Sequence, residues 1–211
     1  MNPKALVDRV RRLLLEPREM LPATLADSGD LKAILPYVLV LAAIGPIVAF
    51  LSFGLIGYYQ PSTVVFNTTV PGMFVRAPAL ALVGSALRYG VGLGGFYAFA
   101  RVLGLLAPSF GGRNDRGGSL KTAAYSLTPL WLSGAFGLFN SIPYLGFLSW
   151  LGGLVGLAYA VVLGMWAAPL HLGTPEPKAV GHVLASLGIT VVAVVLGYWL
   201  LLFLIVGAML R

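Results

Sequence analysis

Residues 145–168 read LGFLSWLGGLVGLAYAVVLGMWAA and hold no charged side chain. A run of this kind can cross ~30 Å of hydrocarbon as an α-helix, which takes ~20 residues. Gly152, Gly156, Ala160, Gly164 and Ala168 recur within it at a four-residue spacing, placing small side chains along one helix face. Hydrophobic force between helices is weak in lipid, and a face of small residues lets backbones approach closely enough to pack. The stretch reads as a transmembrane helix held against other helices.

Four more apolar segments accompany it, at 35–56, 78–106, 120–139 and 183–209. Hydrophobic residues make up 58% of the 211-residue chain and charged residues only 10%, against roughly 25% charged in soluble domains. The polar surface that a soluble core of this size requires is missing. The expected fold is all-α: a polytopic membrane protein, a bundle of about five transmembrane helices. Pro46 and Pro129 fall inside spans, where a local kink or neighbouring helices must satisfy the freed carbonyls. Gly90, Gly94 and Ala98 repeat the four-residue spacing in the second span. Gly90, Gly94, Gly152, Gly156 and Gly164 are therefore expected at helix contacts, with spans two and four packed on partners or on each other. Packing within one bundle is favoured over a homo-oligomer built on the same stripes. No inverted repeat of the transporter kind is visible.

An amphipathic helix is expected ahead of the first span, over 3–16. Asn2 can cap it, Pro3 suits the first helical position, and Pro17 closes it. Leu6, Val10, Leu13 and Leu14 share one face, with Lys4, Asp8, Arg11 and Arg12 away from it. The helix either packs on the bundle or lies in the membrane plane on anionic lipid or a partner; the two readings are compatible. The chain divides into a cytoplasmic arm, 1–34, and a five-helix domain, 35–211. The basic start runs into acids and prolines, not an apolar core, so a cleavable signal is not expected.

Lys and Arg in the connections set the orientation. Lys4, Arg9, Arg11, Arg12, Arg18 and Lys32 precede the first span; Arg113, Arg116 and Lys121 fall between spans two and three, and Lys178 between four and five. Arg76 and Arg211 are the two on the other side, so a cytoplasmic N-terminus places ten inside and two outside. With five crossings the C-terminus lies outside. The net charge of +7 is too dispersed for a nucleic-acid footprint, and its natural partners are anionic headgroups. Arg9, Arg11, Arg12 and Arg101 are candidate lipid contacts.

Arg88 is the unusual residue, a charge inside span two about a third of the way from the outer face. No Asp or Glu lies in any of the five segments to neutralise it. It must snorkel outward, use carbonyls or hydroxyls such as those of Tyr89 or Asn140, or hold a lipid or substrate anion. The first two are the plainer readings. The lack of acids within the spans also weighs against proton- or cation-coupled transport.

Other motifs carry less. His171, Glu176 and His182 share the loop between spans four and five without an established metal spacing, and loop polarity explains them better than metal ligation. The run 111–118 lacks the ending of a P-loop and reads as a solvated connection. Gly90–Gly95 lies inside an apolar helix, where a dinucleotide reading fails. Cysteine is absent, which excludes disulfides and thiol chemistry. No catalytic, metal or cofactor site is expected, and the chain does not read as an enzyme.

The order of features resembles the Yip1 family in its bacterial form, across most of the chain. Glu16-Pro17 breaks the basic arm, and Asp30-Leu-Lys-Ala leads into the first span. Lys121-Thr-Ala-Ala-Tyr125-Ser126-Leu127-Thr-Pro129 opens the third, and the turn Ile142-Pro143-Tyr144 precedes the Gly-rich fourth. The resemblance implies five spans, a cytoplasmic N-terminus and the plasma membrane of a prokaryote. Eukaryotic relatives look like non-enzymatic membrane-traffic factors that engage small GTPases. Their Asp-Leu-Tyr-Gly-Pro-like motif is missing before span one, so GTPase binding is not carried over.

The function expected is that of a non-catalytic membrane protein that organises lipid or serves a membrane-protein partner, with the basic arm and the loop 107–121 as inner contact surface. The alternative is a small permease or flippase-like transporter in which Arg88 meets an anionic substrate.

Overall fold

The computed structural model describes residues 3–65 and 68–209. The Asn2 cap and Arg211 lie outside the described residues. Helix α1 (Pro3–Leu15) starts at a proline, whose fixed φ suits that position, and Glu16 separates it from α2 (Pro17–Ala23). Leu13 is fully buried, and Leu6 and Val10 pack on the core, so the apolar face of α1 rests on the bundle. A 3-10 turn, Thr24–Ala26, then leads to the first long segment.

That segment is not one straight rod. Helix α3 (Leu31–Ala42) breaks at Ala43 and resumes as α4 (Ile44–Ala49). Pro46 is the cause, because it cannot donate to the Ala42 carbonyl and its ring crowds that turn. The chain then widens into a π-helical stretch, Phe50–Ile56, which ends at Gly57 with φ 95°. Asp30 occupies the N-cap position of α3, but its side chain makes no capping bond.

The connection between the first and second spans holds strands that the sequence reading did not anticipate. β1 (Tyr58–Gln60) pairs antiparallel with β4 (Met73–Val75), and β2 (Thr63–Val65) with β3 (Thr68–Val70). Pro61 lies between β1 and β2 and Pro71 between β3 and β4; a proline lacks the N–H that would continue the ladder. The local enrichment in Tyr, Val and Thr is the sequence signal for these strands.

Helix α5 (Pro78–Leu106) matches the expected second span, and a 3-10 turn, Ala107–Phe110, follows it. Next come α6 (Arg116–Ser126), α7 (Thr128–Ser133) and a 3-10 helix, Gly134–Ser141. Helices α8 (Phe147–Leu172) and α9 (Glu176–Met209) complete the bundle.

Among the described residues four stretches are long and apolar enough to cross a membrane: Leu31–Ile56, Pro78–Phe110, Phe147–Leu172 and Glu176–Trp199. The fold is an all-α polytopic membrane bundle. The expected third span is helical but broken, and it is not among these four. It runs antiparallel along α8, with Gly118 against the His171 carbonyl, Ser126 near Gly164, Ser133 against Gly156 and Phe136 against Gly152. Its neighbours are α3, α4, α5, α8 and the π-helical stretch. Ser119, Lys121, Thr122, Ser126 and Thr128 are all buried there. A broken, polar helix is tolerated at membrane depth where protein surrounds it.

Candidate functional site

Arg88, Gly92, Gly95, Phe96 and Phe99 follow helical spacing on one side of α5 and line a cavity of about 520 Å³. Pro46 and Phe53 wall it from the first segment, Trp131 and Asn140 from the broken one, and Thr190 and Val194 from α9. The volume falls within the range of pockets that take small ligands, roughly 300–1,000 Å³, and like them it is mostly apolar with a few polar groups. Glycines create the room: a Cβ built on Gly92 or Gly153 meets nothing within 4 Å.

Among the described residues Arg88 makes no hydrogen bond and no ion pair, and its side chain is exposed. The partners considered for it from the sequence are engaged elsewhere. Tyr89 Oη donates to the Leu39 carbonyl at 3.0 Å, and Asn140 Nδ2 to the Gly137 carbonyl at 2.9 Å. Ser133, Ser149 and Thr190, which also line the cavity, donate to backbone carbonyls. Arg88 is thus a cation on a mostly apolar cavity, with no acceptor of the chain bonded to it among the described residues.

The glycines expected at helix contacts divide into two groups. Gly152 lies against Phe136, Gly156 against Ser133 and the Pro129 carbonyl, and Gly164 against Val183 and Ser126. A Cβ at Gly90 or Gly94 would meet nothing within 4 Å, so neither stands against another helix among the described residues. The inward face of α5 is instead the one that carries Phe96, Phe99 and Leu103, all buried. Spans two and four are not principal neighbours either: α5 packs on α6, α9, α4 and the π-helical stretch, and α8 on α6, α7 and α9.

The basic residues of the arm also separate. Arg9 donates to Asp27 at 2.8 and 3.2 Å and to Tyr125 Oη at 2.9 Å, and Tyr125 Oη donates to Asp27 at 2.6 Å. Arg11 is exposed, and Arg12 is exposed beside Glu16 at 4.0 Å. Arg18 stacks over the Trp166 ring at 5.1 Å. Arg101 is exposed on α5.

The sequence reading missed a buried polar cluster that ties this arm to the bundle. Lys121 Nζ donates to the carbonyls of Thr24, Leu25 and Asp27, each at 3.3 Å. His171 is not a loop residue; it ends α8, fully enclosed between Thr24 and Thr122. His182 lies inside α9, bonded to Thr174 and the Leu103 carbonyl and stacked on Phe110. The glycine-rich run 111–118 is packed as well. Arg113 N–H donates to the Leu172 carbonyl at 2.8 Å, Asp115 caps α6 by accepting from Gly117 N–H, and a Cβ on Gly112 or Gly118 would strike the end of α8. The signal available in the sequence was the density of polar residues from Ser119 to Thr128, too high for a helix that meets lipid. Among the described residues no group of three His, Cys, Asp or Glu side chains is placed to hold a metal ion.

No curated protein and no solved structure matches the chain. The family model described as the Yip1 domain matches residues 11–197, which begins within α1, takes in the docked arm and the Arg88 cavity, and ends within α9. The chain belongs to the Yip1 domain family.

Proposed function

We propose that this Yip1-type membrane protein is non-catalytic and organises lipid, with its intramembrane cavity taking an anionic lipid whose charged group rests on Arg88. The observation that carries this reading is an unpaired guanidinium at the edge of an apolar cavity of about 520 Å³. An arginine at the centre of a membrane helix costs roughly 2.5–3.5 kcal/mol on insertion scales. A bound phosphate or carboxylate offsets that cost, and an acyl chain fills the space left by Gly92 and Gly153. The protein sits in the cell membrane with its N-terminus in the cytoplasm, a reading supported by the excess of Lys and Arg before the first span. The docked basic arm offers a second surface, to headgroups or to a membrane partner.

Extraction into polymer nanodiscs without detergent, followed by mass spectrometry of bound lipids, tests this. The wild type retains a stoichiometric acidic lipid, and Arg88→Gln loses it while its thermal unfolding is unchanged. Equal retention by Arg88→Gln sinks the reading. A flippase-like role predicts more: Arg88-dependent transfer of a labelled acidic lipid between leaflets of reconstituted vesicles. A stoichiometric protein in the same extract instead identifies an adaptor.

A further inference from the structure

A second cavity, of about 400 Å³, opens between α1 and α3, far from Arg88 along the chain. Arg9 and Lys32 line it, with Asp27, Ser28, Tyr37 and Tyr125. Asp27 is already engaged: its carboxylate accepts twice from Arg9 and once from Tyr125, and its backbone carbonyl accepts from Lys121. Asp30, the next acid along the chain, is not in the lining. The lining thus holds two cations, Arg9 and Lys32, to one occupied carboxylate.

Donors remain free to meet an anion. A guanidinium has five N–H groups, and Arg9 directs three hydrogen bonds at Asp27 and Tyr125. Lys32 is exposed and makes no hydrogen bond or ion pair among the described residues. Ser28 Oγ accepts from Asp30 N–H at 3.2 Å, which leaves its own hydrogen available. Ammonium, guanidinium and hydroxyl donors around one pocket suit the tetrahedral oxygens of a phosphate.

The other side of α1 supplies an anchor. A groove of about 500 Å³ runs along Leu6, Val10 and Leu14, with Arg11 beside it, and is lined on its other side by Leu41, Ile44 and Leu132. The same helix thus separates a cationic pocket from an apolar slot, matching the two halves of an acidic phospholipid. We infer that the corner of α1 and α3 binds the phosphate of one acidic phospholipid through Arg9 and Lys32, with an acyl chain in the groove under α1. This site is independent of the Arg88 cavity and remains if that reading fails.

Native mass spectrometry of the full chain, titrated with phosphatidylglycerol or phosphatidylcholine, tests it. The wild type is expected to take two phosphatidylglycerols in preference to phosphatidylcholine. Lys32→Gln should weaken one of them about fivefold to tenfold, the scale of one lysine near an anionic surface. Lys32→Arg should restore it, and Arg88→Gln should leave it in place while removing the other. The inference is overturned if Lys32→Gln keeps both lipids at wild-type affinity, or if phosphatidylcholine fills the Lys32 site equally. It is also overturned if millimolar inorganic phosphate displaces that lipid completely, which assigns the pocket to free phosphate.

Discussion

His171 Nε2 lies 2.9 Å from Thr24 Oγ1, joining the last turn of α8 to the N-terminal arm. Thr24 directs its own hydrogen at the Leu21 carbonyl, 2.6 Å away. On the other side of the ring Thr122 Oγ1, whose hydrogen is directed at the Gly118 carbonyl 2.9 Å away, lies 3.1 Å from Nδ1. All three side chains are buried, at 2%, 1% and 0% exposure. The ring is a structural bridge between three segments, and removing it leaves an enclosed void between the two hydroxyls.

His171→Ala is accordingly expected to destabilise the chain by about 2–4 kcal/mol, from the lost hydrogen bonding of the ring together with the cavity. Thermal unfolding of the purified protein in one detergent, wild type against variant, measures this. An unchanged midpoint would show that the bridge contributes nothing.

Lys121→Met removes the donor shared by the Thr24, Leu25 and Asp27 carbonyls. Hydrogen bonds from a charged group are worth roughly 1.5–3 kcal/mol. The arm should loosen before the bundle melts. Hydrogen exchange over residues 3–27 should rise at least tenfold while α8 keeps its protection.

Gly92→Leu projects a side chain into the Arg88 cavity from a position where a Cβ meets nothing within 4 Å. Folding should change by less than about 1 kcal/mol, while the acidic lipid that copurifies is lost. A variant that binds lipid at wild-type levels would detach the cavity from lipid binding.

Gly134 and Gly45 test close packing. A Cβ on Gly134 would come within 2.7 Å of the Gly45 Cα, so the two backbones must part. Gly134→Ala should cost about 1–3 kcal/mol. Gly90→Ala and Gly94→Ala, which meet open space, should be neutral or gain up to about 1 kcal/mol from helix propensity. A loss of assembly in the α5 variants would instead place a second copy of the chain on that stripe.

The apolar runs alone settled that the chain is a helical membrane bundle, and the span at 78–106 coincides with α5 to the residue. This part was legible because hydropathy and helix length are local properties, summed over neighbours in the chain. The α8 stripe of Gly152, Gly156 and Gly164 was legible for the same reason, since helical spacing puts the three on one face. Which face of α5 turns inward was decided by the packing of other helices, and it is the one that carries Phe96, Phe99 and Leu103. The polarity of α6 likewise acquired meaning only in three dimensions. Lys121 and His171 are costly alone in lipid, and they are enclosed because Thr24, Leu25 and Asp27 meet them from nearly 100 residues or more away along the chain. Periodicity shows how a helix is striped; only the tertiary structure shows what stands opposite each stripe, because that partner is chosen by the closing of the whole bundle.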